Sequence, residues 1–212
     1  SLQSTRLPGK VLMKVGGKTL VERVAEAAKA SPAVDRVMVS VPTESADNPL
    51  AAWLETRGWE VLREVSKADV MNLAPLLASP GLRTMTSDDL IVRLTADCPF
   101  ADPALINMVA AAARQAIQDE CVEEIGFSGL LATRTDRVQE PTQYPPGYDV
   151  EVFSVGLLRG CDGDMDRAWA RPSEQMSDWV LEADPPCLPG LSVTVDWWQD
   201  LEWVRRVYQE CG

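Results

Sequence analysis

Arg6, Lys10, Lys14 and Lys18 are the only charged side chains in the first twenty residues. Two of them stand in the run Ser4-Thr5-Arg6-Leu7-Pro8-Gly9-Lys10, and Lys18 follows Gly16-Gly17. Pro8 and the glycines forbid a continuous helix, so loops must present these cations. Hydroxyls on Ser4 and Thr5, backbone N–H groups near Gly9, and cations on a short loop make a phosphate-binding combination. The G-x-x-x-x-G-K-[ST] spacing of a P-loop is absent. From composition alone the segment is either a solvated basic loop or a polyphosphate site.

Carboxylates supply the complementary chemistry. Leu94-Thr95-Ala96-Asp97-Cys98-Pro99 follows the apolar run Leu90–Leu94, which reads as a strand. In an open parallel sheet, ligands bind beyond the carboxyl ends of strands. Asp97 is therefore placed either to hold Mg²⁺ or to turn the chain before Pro103. Asp196 ends a second predicted strand, Ser192–Val195, and is either another magnesium ligand or the N-cap of the last helix. Mg²⁺ binds through one or two carboxylates together with substrate phosphates, so the two aspartates weigh more together than singly. A third segment, Tyr144-Pro145-Pro146-Gly147-Tyr148-Asp149-Val150-Glu151, is a stiff loop entering a strand with two acids on one face. It reads either as part of a site or as a turn and an edge strand.

The elements that must position these groups alternate through the first 120 residues. Thr19–Ala30 reads as a helix opened by a Thr19/Glu22 capping box and stopped at Ser31-Pro32. Arg36–Val41 reads as a strand, Asn48–Arg57 as a helix, Trp59–Leu62 as a strand, Ala68–Ala78 as a helix, and Pro103–Gln118 as a long Ala-rich helix. That alternation predicts a three-layer α/β fold around a mostly parallel sheet. Beyond residue 120 the pattern loosens. Strands are expected at Val150–Val155 and Ser192–Val195, and helices at Ser173–Leu181 and Asp200–Glu210. Residues 1–212 read as one domain.

Composition removes other chemistries. The chain has no histidine, so Ser-His-Asp and Cys-His catalysis, His-ligated metals and imidazole switches are excluded. A net charge of −12 argues against general nucleic-acid or anionic-membrane binding. Five cysteines without a C-x-x-C spacing read as reduced thiols, and the expected location is cytoplasmic. No uncharged apolar run approaches the roughly 20 residues of a membrane span. Trp197, Trp198 and Trp203 read as packing and partner contacts.

STRLPGK (4–10), GGKTL (16–20), VRLTADCP (92–99), DVEVF (149–153) and TVDWWQDLEWVRRVY (194–208) together resemble the cytidylyltransferases that make CMP-activated acidic sugars. The likeness is greatest to the branch associated with spore-coat polysaccharide biosynthesis. It implies a Rossmann-like nucleotide-diphospho-sugar transferase fold. An acceptor and dimerisation insertion would fall at about residues 120–190, and the protein would be a homodimer. It implies that Arg6 and Lys10 grip the CTP phosphates with Ser4, Thr5, Gly9 and Lys18 nearby. Asp97 and Asp196 would match the aspartates that bind Mg²⁺, and Asp149 and Glu151, with Tyr148 of the same loop, would face a small acidic acceptor. An acceptor oxygen would attack the α-phosphorus of CTP and release pyrophosphate. Such chemistry rests on positioning and charge neutralisation more than on acid–base groups, and needs no histidine.

The sequence departs from the family pattern at Ser1, where an arginine is usual, at Gln3 and Ala96, where glycine is usual, and at Gln175, where histidine is usual. The family's hydrophobic strand ending in Gln-Ala-Arg has no counterpart among the 212 residues. Two other readings stay open. One is a transferase on the same fold that uses a preformed nucleotide-sugar. The other is a non-catalytic homologue that binds nucleotide or a protein partner.

Overall fold

The computed structural model describes residues 1–63, 65–66, 72–80, 82–118, 130–132, 144–166 and 191–211. Strands β1 (Lys14–Val15) and β2 (Lys18–Thr19) pair antiparallel, with Lys14 opposite Thr19 and Val15 opposite Lys18. Gly16 and Gly17 have φ of +53° and +84°. Two successive positive φ values are what a tight two-residue hairpin demands. These glycines therefore make a hairpin turn, a role that the phosphate-loop reading omits.

Thr19 then caps α1 (Leu20–Ala30). Its hydroxyl accepts from Glu22 N–H at 3.3 Å, and its own N–H donates to the Glu22 carboxylate at 3.0 Å, so the expected capping box forms. Strand β3 (Met38–Ser40), helix α2 (Asn48–Thr56) and strand β4 (Glu60–Leu62) follow as a crossover unit. β3 and β4 pair in parallel, with Val39 opposite Val61. After α3 (Ala74–Ala78) come β5 (Leu90–Arg93), α4 (Pro103–Gln118), β6 (Leu130–Ala132) and β7 (Glu151–Ser154). Helices α5 (Val155–Gly160) and α6 (Trp198–Cys211) complete the set.

β7 lies between β5 and β6 and is antiparallel to both. Among the described residues, parallel pairing is thus confined to β3 and β4. The direction of β7 corrects the expectation of a mostly parallel sheet. Hydrophobic alternation fixes which face a residue takes, and carries no information on strand direction.

The three-layer expectation is met by the side chains. On one face of the strands, Met38 of β3, Leu62 of β4, Ile91 of β5 and Phe153 of β7 pack against Leu73, Leu76 and Leu77 at α3 and Leu157 and Leu158 of α5. On the other face, Leu90 and Val92 of β5 and Val152 of β7 meet Leu105, Ile106, Val109 and Ala113 of α4. Val39 and Val61 meet Leu50, Ala51 and Leu54 of α2. Burying each such aliphatic side chain contributes about 1.5–3 kcal/mol.

Two expectations need correction. Ser192–Val195 forms no strand. Its N–H groups at Val193 and Val195 donate to Pro146 O (2.7 Å) and Asp97 O (2.8 Å), both of which lie in loops. The strand expected at Val150–Val155 covers Glu151–Ser154 instead, and Val155 opens helix α5, because the Ser154 hydroxyl accepts from Leu157 N–H at 3.1 Å and caps it. Helix Ser173–Leu181, the first part of Ala68–Ala78, and most of the expected insertion at 120–190 lie outside the described residues. Among the described residues, no helix is long and apolar enough to cross a membrane.

Candidate active site

The basic loop is shaped by the chain around it. The buried Asp47 carboxylate accepts from Leu2 N–H at 2.5 Å and from the Ser1 hydroxyl at 2.9 Å. Gly9 N–H donates to Leu2 O at 2.9 Å and closes the loop on itself. The Ser4 hydroxyl accepts from Leu7 N–H at 3.3 Å, while Thr5 is exposed. Leu7 sinks into a cluster with Val15, Leu20, Val195, Leu201 and Val204. That cluster ties the loop to α1, to the segment before Asp196, and to α6.

Lys10 leaves the loop at the start of a short 3-10 turn, and only 6% of it is exposed. Its ammonium lies 2.7 Å from Asp97 Oδ2, 2.7 Å from Val195 O and 3.0 Å from Asp196 Oδ1. Arg6 approaches the same oxygen of Asp196 at 2.8 Å from the solvent side. Residues 6, 10, 97 and 196, remote in sequence, thus meet in one cluster of two cations and two anions.

The two aspartates arrive from neighbouring backbone. Asp97 follows β5 and bonds through its carbonyl to Val195 N–H, so Asp196 is held one residue beyond that stitch. Gly147 lets this happen. Its φ is +103°, and a Cβ there would lie 2.5–2.8 Å from Val193 Cγ2, Val193 C and Thr194 N. Only glycine permits both the left-handed backbone and the close approach. On the far side, Phe100 stacks on Tyr208 of α6 at 5.3 Å, and the Tyr208 hydroxyl donates to Pro99 O at 2.8 Å.

Asp196 does not cap α6. Asp200 reaches back instead and accepts from the N–H groups of Asp196 (2.9 Å) and Trp197 (2.8 Å), leaving the Asp196 carboxylate for Lys10 and Arg6. An acid in the first helical turn was the available sequence signal.

The electrostatics favour an ionised Asp97 carboxylate. Burial alone would raise the Asp97 pKa, but the Lys10 hydrogen bond and charge, with the Thr95 hydroxyl, outweigh it and hold the group below 3.8. Cys98, beside it, is pushed up to about 12 by burial and by the charges of Asp97 and Asp149, against a lowering from Thr95. Its sulfur lies 3.0 Å from Thr95 Oγ1, 3.8 Å from Asp97 Oδ1 and 3.7 Å from Asp149 Oδ2. It is a protonated bridge between two loops and no nucleophile.

The remaining candidates are placed as follows. Lys18 sits on β2 and pairs with Glu26 of α1, both well exposed. The Asp149 carboxylate accepts from Gly147 N–H at 3.0 Å and so braces the turn. Glu151 forms a cross-strand ion pair with Arg93, its register partner on β5. Tyr148 is half-buried against the α4 cluster, its phenol raised by burial and by the Asp102 charge. The structure therefore gathers Arg6, Lys10, Asp97 and Asp196, while Lys18 and Glu151 have partners elsewhere.

A divalent cation is compatible with this cluster. Two carboxylates and the Val195 carbonyl converge on the point that the Lys10 ammonium holds. Such hard oxygen donors suit Mg²⁺ with substrate phosphates completing its shell. Among the described residues, no group of three or more His, Cys, Asp or Glu side chains gathers to cage a metal.

Comparison with known proteins agrees with the geometry. A 3-deoxy-manno-octulosonate cytidylyltransferase of Aeromonas salmonicida is 36% identical over 109 residues, covering 50% of this chain and 40% of the relative. The match thus spans well under half of that protein. The enzyme of the same name from Acidithiobacillus ferrooxidans is 28% identical over 204 residues, 94% of this chain and 70% of the relative. Among solved structures, a cytidylyltransferase from Leptospira borgpetersenii superposes with a TM-score of 0.73 at 22% identity, covering 99% of this chain and 83% of the other. A CMP:2-keto-3-deoxy-manno-octonic acid synthetase complexed with CTP gives 0.61 at 15% identity, covering 99% and 95%. These two likenesses establish the fold. The profile of the cytidylyltransferase family matches residues 2–143, a stretch that contains the basic loop and Asp97, and the chain belongs to that family.

Proposed function

We propose that this chain is a Mg²⁺-dependent cytidylyltransferase that transfers CMP from CTP to a small sugar acid of the 2-keto-3-deoxy class and releases pyrophosphate. The observation that carries the reading is the convergence of Arg6, Lys10, Asp97 and Asp196 from the beginning, middle and end of the chain. The acceptor class is supported by the 3-deoxy-manno-octulosonate cytidylyltransferases among its relatives.

In this reading Arg6 and Lys10 turn to the triphosphate, Arg6 through its planar fork and Lys10 as a point charge on a flexible stem. Ser4, Thr5 and Gly9 shape the loop that carries them. An acceptor oxygen forms a bond to the α-phosphorus as the bond from that phosphorus to the bridging α–β oxygen breaks. Pyrophosphate leaves with the electron pair, and the acceptor's hydroxyl proton passes to water. Arg6 and Lys10 stabilise the charge that develops on the phosphate oxygens. Asp97 and Asp196 would hold Mg²⁺, which when bound neutralises phosphate charge and orients the leaving group.

The test is incubation of the protein with CTP, Mg²⁺ and a panel of 2-keto-3-deoxy sugar acids, with products identified by mass. A CMP conjugate and stoichiometric pyrophosphate are expected with at least one acid. Transfer from a preformed nucleotide-sugar without pyrophosphate would overturn the reading in favour of a glycosyltransferase. Failure to bind any nucleotide by calorimetry would leave a non-catalytic partner role.

A further inference from the structure

The Lys10 ammonium is bound as a cation in an oxygen site. It has three N–H donors and three oxygen acceptors at 2.7, 2.7 and 3.0 Å. Its side chain is 8% exposed, so little water competes for it. A divalent ion held by the same two carboxylates would lie within a few ångströms of the ammonium, two like charges in a largely desolvated place. Both cannot occupy the point.

We infer that, in the nucleotide-free protein, Lys10 plugs the position between Asp97 and Asp196, and that a divalent cation enters only as a triphosphate draws Lys10 away. The inference rests on the proposed reading that these aspartates hold the metal. Charge counting supports the order. Lys10 and Arg6 balance Asp97 and Asp196, so the cluster is neutral. A dication alone gains no net attraction from a neutral cluster. A triphosphate alone finds its cations already paired. Arriving together, the two exchange partners: Lys10 and Arg6 go to phosphate, the carboxylates go to metal, and every charge stays paired. Lys10 can make the exchange through its four-carbon stem while the loop stays closed at Leu2 and Gly9. Metal and nucleotide binding are then strongly coupled, and the coupling is reciprocal.

Manganese binding measured by electron paramagnetic resonance without any nucleotide tests this. Lys10→Met keeps most of the apolar stem and removes the charge. A site that is open about one tenth of the time binds about tenfold more weakly than an open one. Lys10→Met is therefore expected to bind Mn²⁺ about tenfold or more tightly than the wild type, and Lys10→Gln to move in the same direction. Equal or weaker binding in a variant whose circular dichroism is native would overturn the inference. If neither variant folds, the wild type decides alone. Equilibrium dialysis should show it retaining Mn²⁺ with inorganic tripolyphosphate present and much less without; equal retention would overturn the plug. Neither measurement reads turnover. Tighter Mn²⁺ binding by Lys10→Met without any CMP transfer by the wild type would sink the proposed function and leave the plug. Transfer by the wild type with equal Mn²⁺ binding would do the reverse.

Discussion

Asp97 is the residue whose replacement separates stability from chemistry. Its side chain accepts one of the two 2.7 Å contacts of Lys10, while its backbone carbonyl holds Val195 N–H at 2.8 Å. Asp97→Ala removes the first and leaves the second, so the segment before Asp196 stays stitched in place. Lys10 also keeps Asp196 and the Val195 carbonyl. The main cost is the charge-assisted hydrogen bond from Lys10, about 1.5–3 kcal/mol, with the contacts of the Thr95 hydroxyl and the Cys98 sulfur lost beside it. That is below the roughly 3–5 kcal/mol for leaving a buried charge without a partner. For a chain of this size the melting temperature should fall by roughly 3–12 °C, and by less in Asp97→Asn, which keeps an acceptor oxygen. Turnover of CTP should fall in both by at least the roughly 10- to 100-fold typical of changes one shell further out. The assays are thermal denaturation, calorimetry with CTP, and pyrophosphate release. Unchanged turnover in a folded Asp97→Asn protein would refute the role given to this carboxylate. Loss of folding in Asp97→Asn would show that its role is structural instead.

Other expectations follow from the same geometry. Gly147→Ala should destabilise the protein by more than about 1 kcal/mol, since both the backbone and the space at Val193 and Thr194 reject a Cβ; a urea midpoint at the wild-type value would contradict this. Cys98, buried and with its pKa near 12, should stay unmodified by iodoacetamide at mildly alkaline pH, whereas the exposed Cys211 is labelled; peptide mass spectrometry reads both. Acid should weaken the fold in a way traceable to Asp97. Its folded pKa lies below 3.8, so its stabilisation is fully present above that value and is lost as pH falls through the folded pKa. As pH falls from above 3.8 through the folded pKa, the wild type should therefore lose more stability than Asp97→Asn. Glu22 leaves a residual dependence in both, because the Thr19 hydrogen bonds and the charges of Arg57 and Lys14 outweigh burial and hold it down too.

Local elements were the most legible part of the sequence. The capping box at Thr19 and Glu22 and the bounds Pro103–Gln118 follow from short-range chemistry that needs no partner. The direction of β7 was not legible, because alternation reports faces only. Ser192–Val195 has strand-forming residues, yet its hydrogen bonds go to loops, so tertiary context decided its state. At the site, strand-end position singled out Asp97 and Asp196, and loop chemistry singled out Arg6 and Lys10. That the four touch depended on the fold. The Val195 carbonyl carries no motif and stayed invisible, whereas the Asp200 brace left one signal, an acid in the first helical turn. The pairing of Glu151 with Arg93 was not legible, because it is set by the β5–β7 register, which one strand's pattern does not reveal.

Nucleotidyl transfer is proposed at the meeting point of the basic loop and the two aspartates. The most direct measurement follows CTP radiolabelled at the α-phosphate, with Mg²⁺ and a 2-keto-3-deoxy sugar acid, in a single turnover. The label is expected to pass to a CMP conjugate of the acid while pyrophosphate appears unlabelled. Label that stays in CTP with every acid of the class, although the protein binds the nucleotide, would contradict it.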